Sequence, residues 1–201
     1  MAALGLRPGD QNVAVAIKRG EPSRFVAFLR AINLGKHNRI KMVDLAALFA
    51  AGGCQDVTSY LQTGNVFFTA PTGQKRAAIT ATLESMLVAH GMRNVDVLLR
   101  TPDELAALLG RAPFAGLDPE GFHFSVSFLK SAPRATPIER LTRQGAEVRY
   151  LDDSVLCLSI PRSSKLTGGA STVIDKPWGT ASTTRWWNVV EAVTARALAL
   201  E

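Results

Sequence analysis

Arg24-Phe25-Val26-Ala27-Phe28-Leu29 is apolar without alternation, the pattern of a central strand covered on both faces. A loop rich in Asn, Gly and Lys follows, from Ile32 to Lys41. Met42 to Ala51 then sets Leu45, Leu48 and Phe49 on one helical stripe, and Gly52-Gly53 ends it. Val57 to Leu61 and Val66 to Thr69 read as two strands joined across Gln62-Thr63-Gly64-Asn65. Gly64 and Asn65 both tolerate positive φ, which predicts a tight hairpin. Lys75 to His90 is a second helix with Ile79, Leu83, Met86 and Leu87 as its buried stripe and Gly91 as terminator, and Val95 to Leu99 is another strand. Strand, helix, strand, strand, helix, strand is the ferredoxin-like βαββαβ order, with the first strand inside the sheet.

The second half partly repeats this theme. Thr101 caps a short helix to Leu109, Ala112-Pro113-Phe114 breaks it, and a Gly/Pro/Asp linker runs to Gly121. Phe122 to Leu129 alternates apolar and polar, as a strand with one buried face does. Ile138 to Gln144 reads as a helix, and Glu147 to Leu151 pairs with Val155 to Ile160 across Asp152-Asp153-Ser154. A loop to Ala181 is expected next, then a last helix capped by Ser182 or Thr183. On that helix Trp186, Val190, Val193, Ala197 and Leu200 share one face. The class is therefore α+β: residues 1–23 a leader or flexible tail, residues 24–115 a ferredoxin-like subdomain, and residues 116–201 a second, partly similar α+β subdomain closed by the C-terminal helix.

Composition narrows the setting. Hydrophobic residues make up 47% and charged residues 20% of the 201, a globular balance rather than a disordered one. No apolar run approaches the roughly 18 residues of a membrane span. The patch Val13 to Ile17 is too short for a signal-peptide core. Cys54 and Cys157 lack zinc-site spacing and are too few to staple a secreted domain, so packing residues in a reduced, cytoplasmic setting are expected. The net charge of +6 is clustered. Arg24, Arg30, Lys36, Arg39 and Lys41 come with no acid among them; Lys130, Arg134, Arg140 and Arg143 face Glu139; Arg162, Lys165, Lys176 and Arg185 face Asp175. Such fields favour an anionic partner, although a soluble surface of high pI has the same look.

Three polar islands interrupt the apolar pattern: Leu29-Arg30-Ala31-Ile32-Asn33-Leu34-Gly35, Tyr60-Leu61-Gln62-Thr63-Gly64-Asn65, and Thr183-Thr184-Arg185-Trp186-Trp187-Asn188. With Ala112-Pro113-Phe114 they resemble, in order, the motifs of a bacterial family of unknown function, DUF1697. Relatives mostly carry glycine at Ala31, usually glycine at Lys36, and generally asparagine at Trp186. The resemblance implies a cytoplasmic α+β protein with no established activity, cofactor or partner.

Each island falls where an element begins or ends. Gly35 with Arg30, Lys36 or Arg39 suits an anion-binding nest, or Asn33, Gly35 and Asn38 shape a turn. Gln62 and Asn65 suit a planar polar ligand, or satisfy their own hairpin. Arg185, expected in the first turn of the last helix, stands at the end the helix dipole makes unfavourable for a cation, which calls for an acidic partner in a ligand or in the fold. Thr184 and Asn188 lie at the same point, and Lys165 precedes a Gly/Ser/Thr stretch that reads as a basic flap or an ordinary loop. The candidate ligand-binding set is thus Arg30, Asn33, Lys36, Asn38, Gln62, Asn65, Lys165, Thr184, Arg185 and Asn188.

No catalytic residue, metal site or cofactor is assigned. His37, His90 and His123 lack metal spacing, and no Gly-x-Ser-x-Gly elbow occurs. Phe25, Phe28, Phe67 and Phe68 match the RNA-stacking aromatics of RRM sheets in position alone: the RNP1 pattern is missing, and a core role is expected. The reading is a protein that binds a phosphate-bearing small molecule or nucleic acid in a basic cleft between subdomains. The alternatives are a small-molecule enzyme acting on an anionic substrate, and a structural or self-associating protein.

Overall fold

The computed structural model describes residues 23–33, 38–164, 166 and 171–200. Its first unit is β1 (Arg24–Arg30), α1 (Met42–Ala51), β2 (Gln55–Tyr60), β3 (Asn65–Thr69), α2 (Arg76–Ala89) and β4 (Asp96–Arg100). The strands lie in the order β2-β3-β1-β4, all neighbours antiparallel, which is the ferredoxin-like plait. β1 is interior, as its unbroken apolarity requires. Its alternate side chains serve two different cores. Phe25, Ala27 and Leu29 pack under α1 and α2 with Leu45, Phe49, Ile79 and Leu83, whereas Val26 and Phe28 face the other way.

α3 (Pro102–Gly110) links the halves. Thr101 and Glu104 form a reciprocal capping box, with proline at the start where its missing N–H costs nothing. A second sheet follows, built from β5 (Phe122–Leu129), α4 (Ile138–Thr142), β6 (Glu147–Leu151), β7 (Val155–Pro161), α5 (Ser171–Trp178) and β8 (Ser182–Trp186), before α6 (Trp187–Ala199). Its order is β6-β7-β5-β8, the same arrangement again. The second unit therefore has the complete strand–helix–strand–strand–helix–strand order.

This corrects the expected loop up to Ala181. α5 and β8 occupy it, and the last helix begins at Trp187, with Trp186 and not Ser182 or Thr183 at its N-cap. β8 escapes an apolar-alternation reading because its side chains are satisfied by hydrogen bonds. Ser182 donates to Asp175, and Thr184 bonds Ser127 at 2.8 Å. Nor is β5 buried on one face alone: Ser125 and Ser127 are as deep as Val126 and Phe128, Ser127 bonded to Thr184 and the Ser125 hydroxyl without a partner among the described residues.

The two sheets stack face to face, with α1 and α2 outside one and α4 and α5 outside the other. Between them lie Val26, Phe28, Phe67 and Leu98 against Val126, Phe128, Val155 and Cys157, closed at one side by α3 and α6. Phe28 and Phe128 stack at 4.0 Å between ring centroids, which adds about 0.5–1.5 kcal/mol beyond their area burial. Phe25, Phe67 and Phe68 are buried as well, so none of the four rings offers a surface to a base. Cys54 and Cys157 are packing residues, their thiols pushed up to about 11 and about 12 by burial.

Register reveals a reciprocal relation across this interface. Val26 pairs with Arg100 as Val126 pairs with Arg185, and Phe28 pairs with Asn65 as Phe128 pairs with Val155. Arg100 lies over the Phe128 ring at 5.4 Å, and Arg185 over the Phe28 ring at 5.7 Å. Each half thus places a guanidinium on the other half's central aromatic, as the partners in a two-fold interface do.

Candidate functional site

Arg185 sits on the face of β8 turned towards the first sheet, and only 8% of it is exposed. Its Nε donates to Asn65 Oδ1 at 2.7 Å. Nη1 donates to Thr183 Oγ1 and to the Thr184 carbonyl, both at 2.9 Å. Nη2 donates to the carbonyls of Leu29 at 3.1 Å and Thr63 at 2.7 Å. Every N–H of the fork is used. Its location in a strand corrects the helix-terminus expectation, and its partners are neutral oxygens rather than an acid. Burial lowers its pKa to about 10, still protonated at neutral pH.

Through these bonds Arg185 joins the three polar islands: Leu29 in the first, Thr63 and Asn65 in the second, Thr183 and Thr184 in the third. Asn65 is wholly buried, and its amide also donates to the Tyr60 carbonyl and Thr63 Oγ1, fixing the β2–β3 turn from inside. Asn65 itself is in β3 and not at positive φ; Leu61 at φ 59° and Gly64 at φ 79° take that conformation instead. At Gly64 a Cβ would come within 2.7 Å of Ile32 Cδ1 and 2.8 Å of Leu29 Cβ, so glycine is required both by φ and by the close approach of the first island.

The loop after β1 is closed at its neck by two asparagines. Asn33 donates to the carbonyls of Ile40 and Gln62 and accepts from the Ile40 N–H. Asn38 donates to the carbonyls of Ala31 and Arg93 and accepts from the Arg93 N–H. Asn33 N–H also donates to the Asn38 carbonyl at 2.9 Å. Ala31, Asn33 and Asn38 all have positive φ, which asparagine accepts readily and alanine does not. Lys36 and Lys165 lie outside the described residues.

Arg30 is engaged elsewhere. Its guanidinium pairs with Asp96 at 3.1 Å and with Asp175 at 2.7 Å. Asp96 also receives Lys130 at 2.6 Å, and Lys130 reaches Glu84 at 2.7 Å. This chain of charges crosses from the first unit to the second. Burial works to lower the Lys130 pKa, but the hydrogen bonds it donates to Asp96 and Glu84, with their charge, raise it. Gln62 is exposed at the turn, with its backbone carbonyl held by Asn33. Asn188 is exposed in the first turn of α6, beside the 37% exposed Trp186, whose ring lies 5.4 Å from His123.

Nothing in the sequence singles out Arg100. It is as deeply buried as Arg185, with Nη2 donating to the carbonyls of Leu129 and Ser154 and Nη1 to that of Leu99. Its Nε has no partner, because Val155 stands where Arg185 has Asn65. Burial lowers its pKa to about 10. Among the described residues no cluster of His, Cys, Asp or Glu is suited to a metal, and no helix is long and apolar enough to cross a membrane.

Two stacked ferredoxin-like units closed by a C-terminal helix define an α+β protein whose islands are knitted together by one buried arginine. The chain belongs to the DUF1697 family of proteins of unknown function, whose model matches residues 23–156. The last island lies beyond that stretch. Among solved structures it is similar to the conserved bacterial protein SP0830 from Streptococcus pneumoniae, with 17% sequence identity, a TM-score of 0.62, and coverage of 88% of this chain and 99% of that one. At that identity the likeness is one of fold. No curated protein matches the chain.

Proposed function

We propose that the protein binds a phosphate-bearing ligand, in a nucleotide or a nucleic acid strand, at the rim where its three polar islands meet. The observation that carries this reading is the gathering of Leu29, Thr63, Asn65, Thr183 and Thr184 around Arg185. The stacked aromatics close the space between the sheets, so the ligand lies at the edge of the interface and not within it. Arg185, Asn33, Asn38 and Asn65 serve as the frame, since their polar groups are bound to backbone and to one another. Gln62 and Asn188 are left to face solvent, beside the partly exposed Arg30, which is paired with Asp96 and Asp175, and the charges of Lys36 and Lys165 are the further candidates for holding phosphate. A net charge of +6 draws phosphate towards such a rim.

The test is equilibrium binding of nucleotides and of short RNA and DNA at two salt concentrations. Affinity falls as salt rises if phosphate is the group recognised. Lys36→Ala and Gln62→Ala weaken binding while leaving the unfolding midpoint unchanged. Absence of salt-sensitive binding by every probe rejects the reading.

A further inference from the structure

A cleft of about 330 Å³ opens at the far end of the first sheet, against the last turn of α6. Three side chains form a row across it, on the sheet face that also carries Val26 and Phe67. They are Arg24, its cross-strand partner Thr69, and Asp56 on the edge strand, whose Oδ2 accepts the Thr69 hydroxyl at 3.0 Å. Asp56 has φ 52° and sits where β2 slips register between Gln55 and Thr58, a bulge in an edge strand of the kind that re-aims a side chain. Phe67, Pro102, Ala197 and Leu200 supply the apolar lining.

The charges at the two ends of the row are unspent. Arg24 is exposed and gives one N–H to the Leu200 carbonyl; its Nε and Nη2 have no partner among the described residues. Asp56 is exposed, and its Oδ1 has no donor among the described residues. No ion pair joins the two residues, which stand on β1 and β2 with β3 between them.

We propose that this cleft binds a small zwitterion with an apolar side chain, a free apolar α-amino acid or dipeptide. Its carboxylate lies on Arg24, its ammonium on Asp56, and its side chain against Phe67, Ala197 and Leu200. A plain anion meets repulsion from Asp56 and from the carbonyl end of α6, and a plain cation meets Arg24. Only a ligand carrying both signs matches both ends. The volume, at the small end of ligand pockets, suits a molecule of this size.

Titration calorimetry on the full chain tests it with leucine and Leu-Leu. N-acetyl-leucine, leucine amide and doubly blocked N-acetyl-leucine amide serve as probes of each charge. Saturable binding of leucine or Leu-Leu is expected, weakened roughly tenfold by blocking either charge, the loss of one charge-assisted hydrogen bond. Asp56→Asn keeps an oxygen for Thr69 and tolerates positive φ. It weakens the zwitterion and leucine amide and, by removing the repelling carboxylate, strengthens N-acetyl-leucine. Arg24→Gln does the converse. No saturable binding at millimolar ligand, or equal binding of the doubly blocked compound, overturns the proposal. So does binding by Asp56→Asn that matches the parent for every probe.

Discussion

Replacing Arg185 by alanine removes a side chain that holds both sheets and three loops, and the loss is large enough to size. Asn65 Oδ1 and the Leu29 carbonyl lose their bonds to Arg185 in the interior, each at about 1–3 kcal/mol. The space left by the truncated side chain costs about 2–3 kcal/mol more, and the contact with the Phe28 ring about 1 kcal/mol. Against this stands relief of the buried charge: lowering the pKa from 12.5 to about 10 corresponds to about 3 kcal/mol. The net destabilisation is about 2–7 kcal/mol, a span that includes the range for breaking a buried charged partnership. In a chain of this size that is a fall in Tm of roughly 10 °C.

Urea unfolding followed by tryptophan fluorescence measures it. Arg185→Lys keeps the charge but not the fork, and should lose about 2 kcal/mol. Arg100→Ala should cost less than Arg185→Ala, because Arg100 makes fewer bonds and its Nε has no acceptor to strand. A loss under about 1 kcal/mol for Arg185→Ala, the range of an ordinary surface change, refutes the buried clasp. So does an Arg185→Lys variant as stable as the parent.

Two further outcomes follow from local geometry. Gly64→Ala should destabilise by about 2–4 kcal/mol, from a disfavoured φ and an overpacked contact with Ile32 and Leu29; an unchanged urea midpoint would show the first two islands are not in tight contact. At Asp152 burial pushes the carboxyl pKa up, but hydrogen bonds from Tyr150, Ser154 and Val155 win and hold it below its ordinary 3.8. Its stabilisation is therefore complete above that value and lost as pH falls through the lower folded pKa. Asp152→Asn should flatten that acid limb of stability in a pH series of urea melts, and an identical limb in both proteins contradicts it.

The first unit is legible almost residue by residue, because its strands and helices are defined by apolar periodicity. α1 spans Met42–Ala51, the stretch its apolar stripe predicts. The end of the second unit is not legible in this way. In β8 the sequence Ser182-Thr183-Thr184-Arg185 buries polar side chains against polar partners, and nothing in a hydropathy pattern marks such a strand. α5 is hidden by Pro177 and by the glycines at 168 and 169 ahead of it. The same blindness affects the site. That Arg185, Asn65 and Leu29 belong together is readable from the islands, but a guanidinium in sequence looks solvated, and only coordinates show one spent wholly on carbonyl and amide oxygens. Arg100 follows an apolar strand and has no island around it, so no signal sets it apart.

The mirrored registers of Val26 with Arg100 and Val126 with Arg185 give the molecule the interior of a homodimer inside a single polypeptide. A linker through α3 keeps the halves at a high effective concentration. Their docking therefore does not weaken on dilution, as a true dimer's would. Covalent fusion also frees each half to change alone. Asn65 opposite Phe28, but Val155 opposite Phe128, is one such difference, which two identical subunits could not carry.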